Sequence, residues 1–141
     1  SRDGAVQVEV AELPEVPERP IRVALDDDPV DPGDVWLFHK TSRRAPYDRR
    51  RDRRPDVDDV ILVNARGEVT ESTIANLAAR IGGRWVTPPL EAGLLPGSYR
   101  TVLLRDGTLV ERPIATDELR AAKEIALLSS VRGWRTAALV P

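Results

Sequence analysis

The sequence predicts a mixed α/β domain, rich in strands and carrying only a few short helices. Three observations lead there. The apolar residues fall in short runs, some alternating with polar residues, rather than in long stripes of helical period. Turn signals separate those runs: Asn64-Ala65-Arg66-Gly67, Gly82-Gly83, Asp106-Gly107 and Ser129-Ser130-Val131-Arg132-Gly133. The 141 residues, 41% of them apolar, suffice for one core and one domain.

Taken in order, Asp3-Gly4 reads as a turn, and Ala5 to Val10 alternates with the period of a half-buried strand. Leu13 to Pro20, with three prolines, reads as an extended loop. Ile21 to Leu25 is a second strand, and Asp26 to Asp34 an acidic loop broken by Pro29, Pro32 and Gly33. The apolar run Val35-Trp36-Leu37-Phe38, continued by His39, predicts a strand with Lys40 at its end. Pro46 opens a helix in its first turn, where its missing N–H costs nothing, and Pro55 stops that helix after Arg54. This helix holds Arg49, Arg50, Arg51, Arg53 and Arg54, an anion patch on one reading. The interleaved Asp48 and Asp52 favour a solvated helix face instead.

Val60 to Val63 and Glu68 to Thr70 form a hairpin about Asn64 to Gly67. Ala78 to Ile81 and Arg84 to Thr87 form a second about Gly82-Gly83, closed by Pro88-Pro89. Gly93 to Gly97 is a loop, after which a helix runs from Ser98 to Leu104. Leu109 to Ile114 is a strand. Thr116 to Lys123 is a helix, with Thr116 as N-cap and Asp117 and Glu118 in its first turn. Ile125 to Leu128 is apolar, and Trp134 to Val140 closes the chain as a strand.

Composition excludes several function classes. Charged residues make up 31% of the chain, yet the net charge is only −2, which argues against a nucleic-acid footprint over the whole surface. No run approaches the roughly 20 apolar residues that span a bilayer, and no signal-peptide pattern opens the chain. There is no cysteine and only one histidine, His39, so neither a thiolate metal site nor a multi-histidine zinc site can form. The expectation is a cytoplasmic, metal-free protein with a small-molecule substrate.

Lys40 stands out against this background. Lys40 and Lys123 are the only lysines among 21 basic residues. Arginine stays protonated, whereas a lysine amine can lose its proton, attack a carbonyl and form a Schiff base. Spacing alone leaves open that Lys40 is simply a leftover lysine. Glu71, the Gly97-Ser98 loop and the Ser129 to Gly133 turn complete a candidate set. Pyridoxal phosphate requires an amine, a partner for its ring nitrogen and a phosphate cup of backbone N–H groups and hydroxyls. Each requirement has a candidate here, although spacing would not have chosen this set.

At these residues the chain resembles a known family. Phe38 to Arg44, Asn64 to Leu77, Thr87 to Leu90, Gly93 to Arg100 and Ser129 to Trp134 are similar, in order and spacing, to the fold type IV (class IV) pyridoxal-phosphate enzymes. These comprise branched-chain and D-amino-acid aminotransferases and 4-amino-4-deoxychorismate lyase. The His39-Lys40-Thr41-Ser42-Arg43-Arg44 and Ser130-Val131-Arg132-Gly133-Trp134 forms are most similar to the lyase, as fused behind the chorismate-amidating component of para-aminobenzoate synthase.

The resemblance implies that residues 1–141 are the C-terminal, cofactor-binding domain of a longer chain, without the N-terminal small domain. It implies a homodimer, fused to or paired with that amidating component. It implies Lys40 as the Schiff-base lysine and proton shuttle, and Glu71 as partner of the pyridine nitrogen. Gly97, Ser98, Tyr99 and Ser130 would hold the phosphate, while Arg43, Arg44 and Arg132 would meet substrate carboxylates. Relatives carry Ile-Thr at Ser98-Tyr99, which moves the hydroxyl contact to Ser98. The implied activity is cleavage of 4-amino-4-deoxychorismate to 4-aminobenzoate and pyruvate for folate synthesis. The alternatives are an aminotransferase on the same scaffold, or an inactive structural module. Tyr47, Asn76 and Arg100 are read as structural residues: Tyr47 could reach the cofactor oxygen but sits farther from Lys40 than the aminotransferase tyrosine does, Asn76 is a backbone-bonding turn residue, and Arg100 packs or pairs.

Overall fold

The alternation of apolar residues along the strands closes them into a barrel. The computed structural model describes residues 4, 6, 8–15 and 18–141. Its strands are β1 (Ile21–Leu25), β2 (Asp59–Val63), β3 (Val69–Ser72), β4 (Asn76–Ile81), β5 (Arg84–Thr87), β6 (Val110–Glu111), β7 (Ile125–Ser129) and β8 (Gly133–Leu139). Its helices are α1 (Ala45–Asp52), α2 (Ser98–Arg105) and α3 (Thr116–Arg120). The strand order is β3-β2-β1-β8-β7-β4-β5-β6, and β3 also pairs with β4. That pairing closes the first six strands of the series into a mixed barrel and leaves β5 and β6 as an extension. β1 runs parallel to both β2 and β8, whereas β2–β3, β3–β4, β4–β7 and β7–β8 are antiparallel.

The core follows from the two-residue period. Ile21, Val23, Ile61, Val69, Leu77, Ala79, Ile125 and Leu127 form one buried cluster, joined by Val86, Ile114 and Leu119. The intervening residues Ala78, Ala126 and Leu128 face the other way, and Leu103 of α2 and Leu109 cover them. Leu62 likewise turns outward, to Val30, Leu37, Phe38 and Tyr47. Each large aliphatic side chain so buried contributes about 1.5–3 kcal/mol. Trp85 and Trp134 meet edge to face, with centroids 4.7 Å apart. The β4–β5 hairpin turns on Gly82 and Gly83, both at positive φ, the requirement of a tight two-residue hairpin turn.

Several sequence expectations need correction. Val35–Phe38 is a 3-10 helix, not a strand. Asp34 caps it, its Oδ1 accepting from the Trp36 N–H at 3.0 Å. Its buried Leu37 packs onto the outer face of β2 instead of pairing along it. Within the strand expected over Ala5–Val10, the described residues Val6, Val8, Glu9 and Val10 adopt no strand and are exposed; Ala5 and Gln7 lie outside the described residues, as does Asp3 of the preceding turn. Leu109–Ile114 shrinks to the two-residue β6. α3 stops at Arg120, short of Lys123, and its N-cap is Ala115, not Thr116. An alanine has no side-chain acceptor, so the carboxylate of Glu118, reaching back to the Ala115 N–H at 3.2 Å, supplies the cap. Glu71, expected just past a hairpin strand, lies within β3.

The arginine-rich helix is only partly a solvated face. Arg50 turns inward and binds the carboxylate of Asp26 and the carbonyl of Asp28. Arg53 adds a second contact to Asp26, at 2.9 Å. This network ties α1 to the end of β1.

Candidate functional site

A cavity of about 270 Å³ opens where the segment before α1, the β3–β4 turn, the start of α2 and the β7–β8 turn converge. Lys40, Arg43, Arg44, Glu71, Gly97, Ser98, Tyr99 and Ser130 all line it. Eight of the residues singled out from sequence are thus brought together from four distant segments. Arg132 is the exception. It does not line the cavity; its guanidinium donates to the Pro14 carbonyl at 2.8 Å, and its N–H donates to Ser129 Oγ at 3.0 Å.

Lys40 lies just past the 3-10 helix, outside any helix or strand, and is exposed. Among the described residues its amine makes no ion pair or hydrogen bond, so it is free to meet a ligand. Glu71 is its chemical opposite: only 6% exposed, with both bonds on one oxygen. Oε2 accepts from Asn76 Nδ2 at 3.1 Å and from the Leu95 N–H at 3.2 Å. Among the described residues Oε1 has no hydrogen-bond partner and is not sealed from solvent, and Glu71 lines the cavity. Burial pushes the Glu71 carboxyl up to about 8, against the pull of the Leu95 N–H and the charges of Arg100 and Arg44. Glu71 is therefore a buried acid that holds its proton near neutral pH.

The start of α2 supplies donors. The first N–H groups of a helix have no intrahelical acceptor and carry the positive end of its dipole. Gly97 is the N-cap, and a Cβ there would run into Oδ1 of Asn76. Only glycine allows the loop this close approach. The Tyr99 side chain packs against the cluster around Leu103. Ser130 is exposed in the β7–β8 turn at the rim.

The arginines and Tyr47 shape the remaining wall. Arg43 stacks over Trp36 at 4.9 Å from the ring centroid, and Arg44 over Tyr47 at 5.4 Å. Arg44 also donates to the Thr73 carbonyl at 2.7 Å. Burial, and next the Glu71 charge, push the Tyr47 phenol up to about 12. Arg100 is buried and bonded to Thr87, Pro88 and Glu111, as a packing and ion-pair residue. Asn76 bonds backbone at Leu95 O as expected, but it also holds Glu71, and it begins β4 rather than sitting in a turn.

Comparison with known proteins places this arrangement. The sequence profile of the amino-transferase class IV family matches residues 1–140. The chain belongs to the class IV aminotransferase family. It is 31% identical over 140 residues to a Schizosaccharomyces pombe protein provisionally named an aminodeoxychorismate lyase, covering 94% of this chain and 61% of that one. A crystal structure from Mesorhizobium loti, provisionally named an amino-acid aminotransferase, superposes with a TM-score of 0.83 at 37% identity, over 91% of this chain and 63% of that one. The 4-amino-4-deoxychorismate lyase of Pseudomonas aeruginosa shares the fold, with a TM-score of 0.76 at 21% identity, over 89% of this chain and 51% of that one. The chain thus spans between half and two thirds of the length of these relatives. Members of the family generally use pyridoxal phosphate. No helix among the described residues is long and apolar enough to cross a membrane.

Proposed function

We propose that this chain carries the pyridoxal-phosphate site of a lyase that splits 4-amino-4-deoxychorismate into 4-aminobenzoate and pyruvate. One observation carries the cofactor reading: a free amine, a buried acid with one open oxygen and a helix N-terminus line a single cavity. The residues fit the group. About 270 Å³ is near the lower end of the roughly 300–1,000 Å³ of small-molecule sites. Gly97 caps the start of α2 without a side-chain acceptor, so the first N–H groups of that helix would be left for an anion.

Lys40 would hold the cofactor, with Glu71 Oε1 on its ring nitrogen. The N–H groups at the start of α2 and the Ser130 hydroxyl would take its phosphate. When bound, the cofactor supplies an electron sink for the carbon bearing the substrate amine. The substrate amine would displace Lys40 from the cofactor, and the freed Lys40 amine would take the proton from that carbon and return one to the departing enolpyruvyl group. Glu71, protonated before loading, provides the proton that the ring nitrogen needs. Arg43 and Arg44 on the wall offer positive charge to substrate carboxylates, whereas Arg132 is engaged outside the cavity.

The lyase assignment is supported by the S. pombe relative and by the His39-Lys40-Thr41 and Ser130 to Trp134 sequences. An aminotransferase is the second reading, favoured by the 37% identity to the M. loti protein. The test supplies 4-amino-4-deoxychorismate to the full-length protein and measures pyruvate and 4-aminobenzoate. Robust transfer of an amino group to a 2-oxo acid, without pyruvate release, overturns the lyase reading. Borohydride reduction followed by mass spectrometry should attach the cofactor at Lys40, and Lys40→Ala should abolish that attachment.

A further inference from the structure

Both N–H groups of the Asn76 amide are used, by groups from both ends of the cavity. Asn76 opens β4, paired with Glu71 on one side and Leu128 on the other. Its Nδ2 donates to Glu71 Oε2 at 3.1 Å and to the Leu95 carbonyl at 2.8 Å. The Leu95 N–H returns to the same Oε2 at 3.2 Å, which closes a ring of three hydrogen bonds. The Leu95 carbonyl also receives the Gly97 N–H, at 2.8 Å. The third polar edge, Oδ1, fills the space that a Gly97 side chain would need. We propose that Asn76 is a positioning residue that locks the acid Glu71 to the loop Leu95–Gly97, so that the acid and the anion-binding helix start are set as one unit.

This lock deepens the cofactor reading and rests on it for its purpose, though its geometry belongs to the protein alone. The acid and the loop would receive opposite ends of one ligand, so their separation has to be fixed before binding. A buried amide with both N–H groups committed fixes it by hydrogen bonds that water does not replace. Asn76 also acts on the charge of Glu71. Its Nδ2–H donates to the Glu71 carboxyl, and a donor there favours the charged form. Burial opposes that form and Asp59 of β2 opposes it too, while the Leu95 N–H, Arg100 from α2 and Arg44 before α1 favour it. Tyr47 of α1 feels the Glu71 charge in turn.

The test uses the ligand-free chain labelled with carboxyl ¹³C-glutamate, in which the Glu71 signal is the one lost in Glu71→Gln. In Asn76→Ala the acid dissociation constant of Glu71 should fall roughly tenfold, the loss of about one hydrogen bond to the charged form. The Gly97 amide signal should follow the Glu71 titration in the parent chain and cease to follow it in the variant. Should Asn76→Ala not fold, Asn76→Leu keeps about the same volume, lacks both donors, adds no charge and should shift the titration the same way. A general loss of packing would lower stability without moving either signal. Unchanged titration and unchanged Gly97 coupling in a folded variant overturn the lock. Separately, the preference for pyridoxal 5′-phosphate over pyridoxal should fall roughly tenfold in Asn76→Ala. A parent chain that binds neither compound, with both magnetic-resonance effects present, sinks the cofactor reading and leaves the lock standing.

Discussion

Replacing Glu71 by Gln should stabilise the ligand-free protein, and the gain should grow with pH. Gln keeps an acceptor for Asn76 Nδ2 and the Leu95 N–H, and it carries no charge into the buried site. The Glu71 carboxyl titrates at about 8 in the fold, against an ordinary 4.5. Its folded value is therefore raised, and the folded state holds the extra proton between those two values. Its contribution is fully present below about pH 4.5 and is lost as pH rises through about 8. At pH 7 the wild-type chain forfeits roughly 3 kcal/mol, from about 2.5 pH units at 1.36 kcal/mol each. Above pH 8 the loss reaches on the order of 5 kcal/mol. Urea denaturation followed by tryptophan fluorescence, from pH 5 to 9, measures the difference between the two chains. Near pH 5 they should be almost equally stable, and by pH 8 Gln should lead by several kcal/mol. Parallel stability curves for the two chains would refute the buried-acid argument. Such a result would mean that Glu71 is already ionised and compensated in the fold.

Other perturbations test neighbouring contacts. Gly97→Ala places a Cβ against Asn76 Oδ1 and should cost about 1–3 kcal/mol in urea denaturation while weakening pyridoxal 5′-phosphate binding. Thr73→Val removes the hydroxyl that Asp59 Oδ1 accepts from, in a fully buried carboxyl whose Oδ2 lacks a partner among the described residues. That should cost about 1–3 kcal/mol, read from the denaturation midpoint. Arg50→Ala strips the inward guanidinium from Asp26 and should raise the rate of proteolytic cleavage within α1, with the β4–β5 hairpin unaffected.

The strands were legible wherever a local signal coincided with a pairing partner. Gly82-Gly83 and Asn64 to Gly67 specify hairpins by backbone geometry, and both form. The failures share a cause. Val35–Phe38 has the composition of a buried strand, but burial by packing onto the outer face of β2 satisfies the same apolar residues without a ladder. The alternation over Ala5–Val10 is a half-buried pattern, yet Val6, Val8 and Val10 are exposed. Periodicity states that a face is apolar; it does not state what covers it. Asn76 is a similar case: the sequence implies its bond to backbone, but its hold on Glu71 depends on how β3 and β4 pair.

By itself the sequence determined the local units: the turns, the helix starts at Pro46 and Ser98, and the scarcity that made Lys40 conspicuous. Family resemblance added the roles to test. Only the tertiary structure decided that Lys40, Glu71, Gly97 and Ser130 share one cavity while Arg132 turns away to Pro14. It also decided the charge on Glu71, because a carboxyl's acidity depends on the water and donors around it, and pairing distant in sequence removes the one and supplies the other.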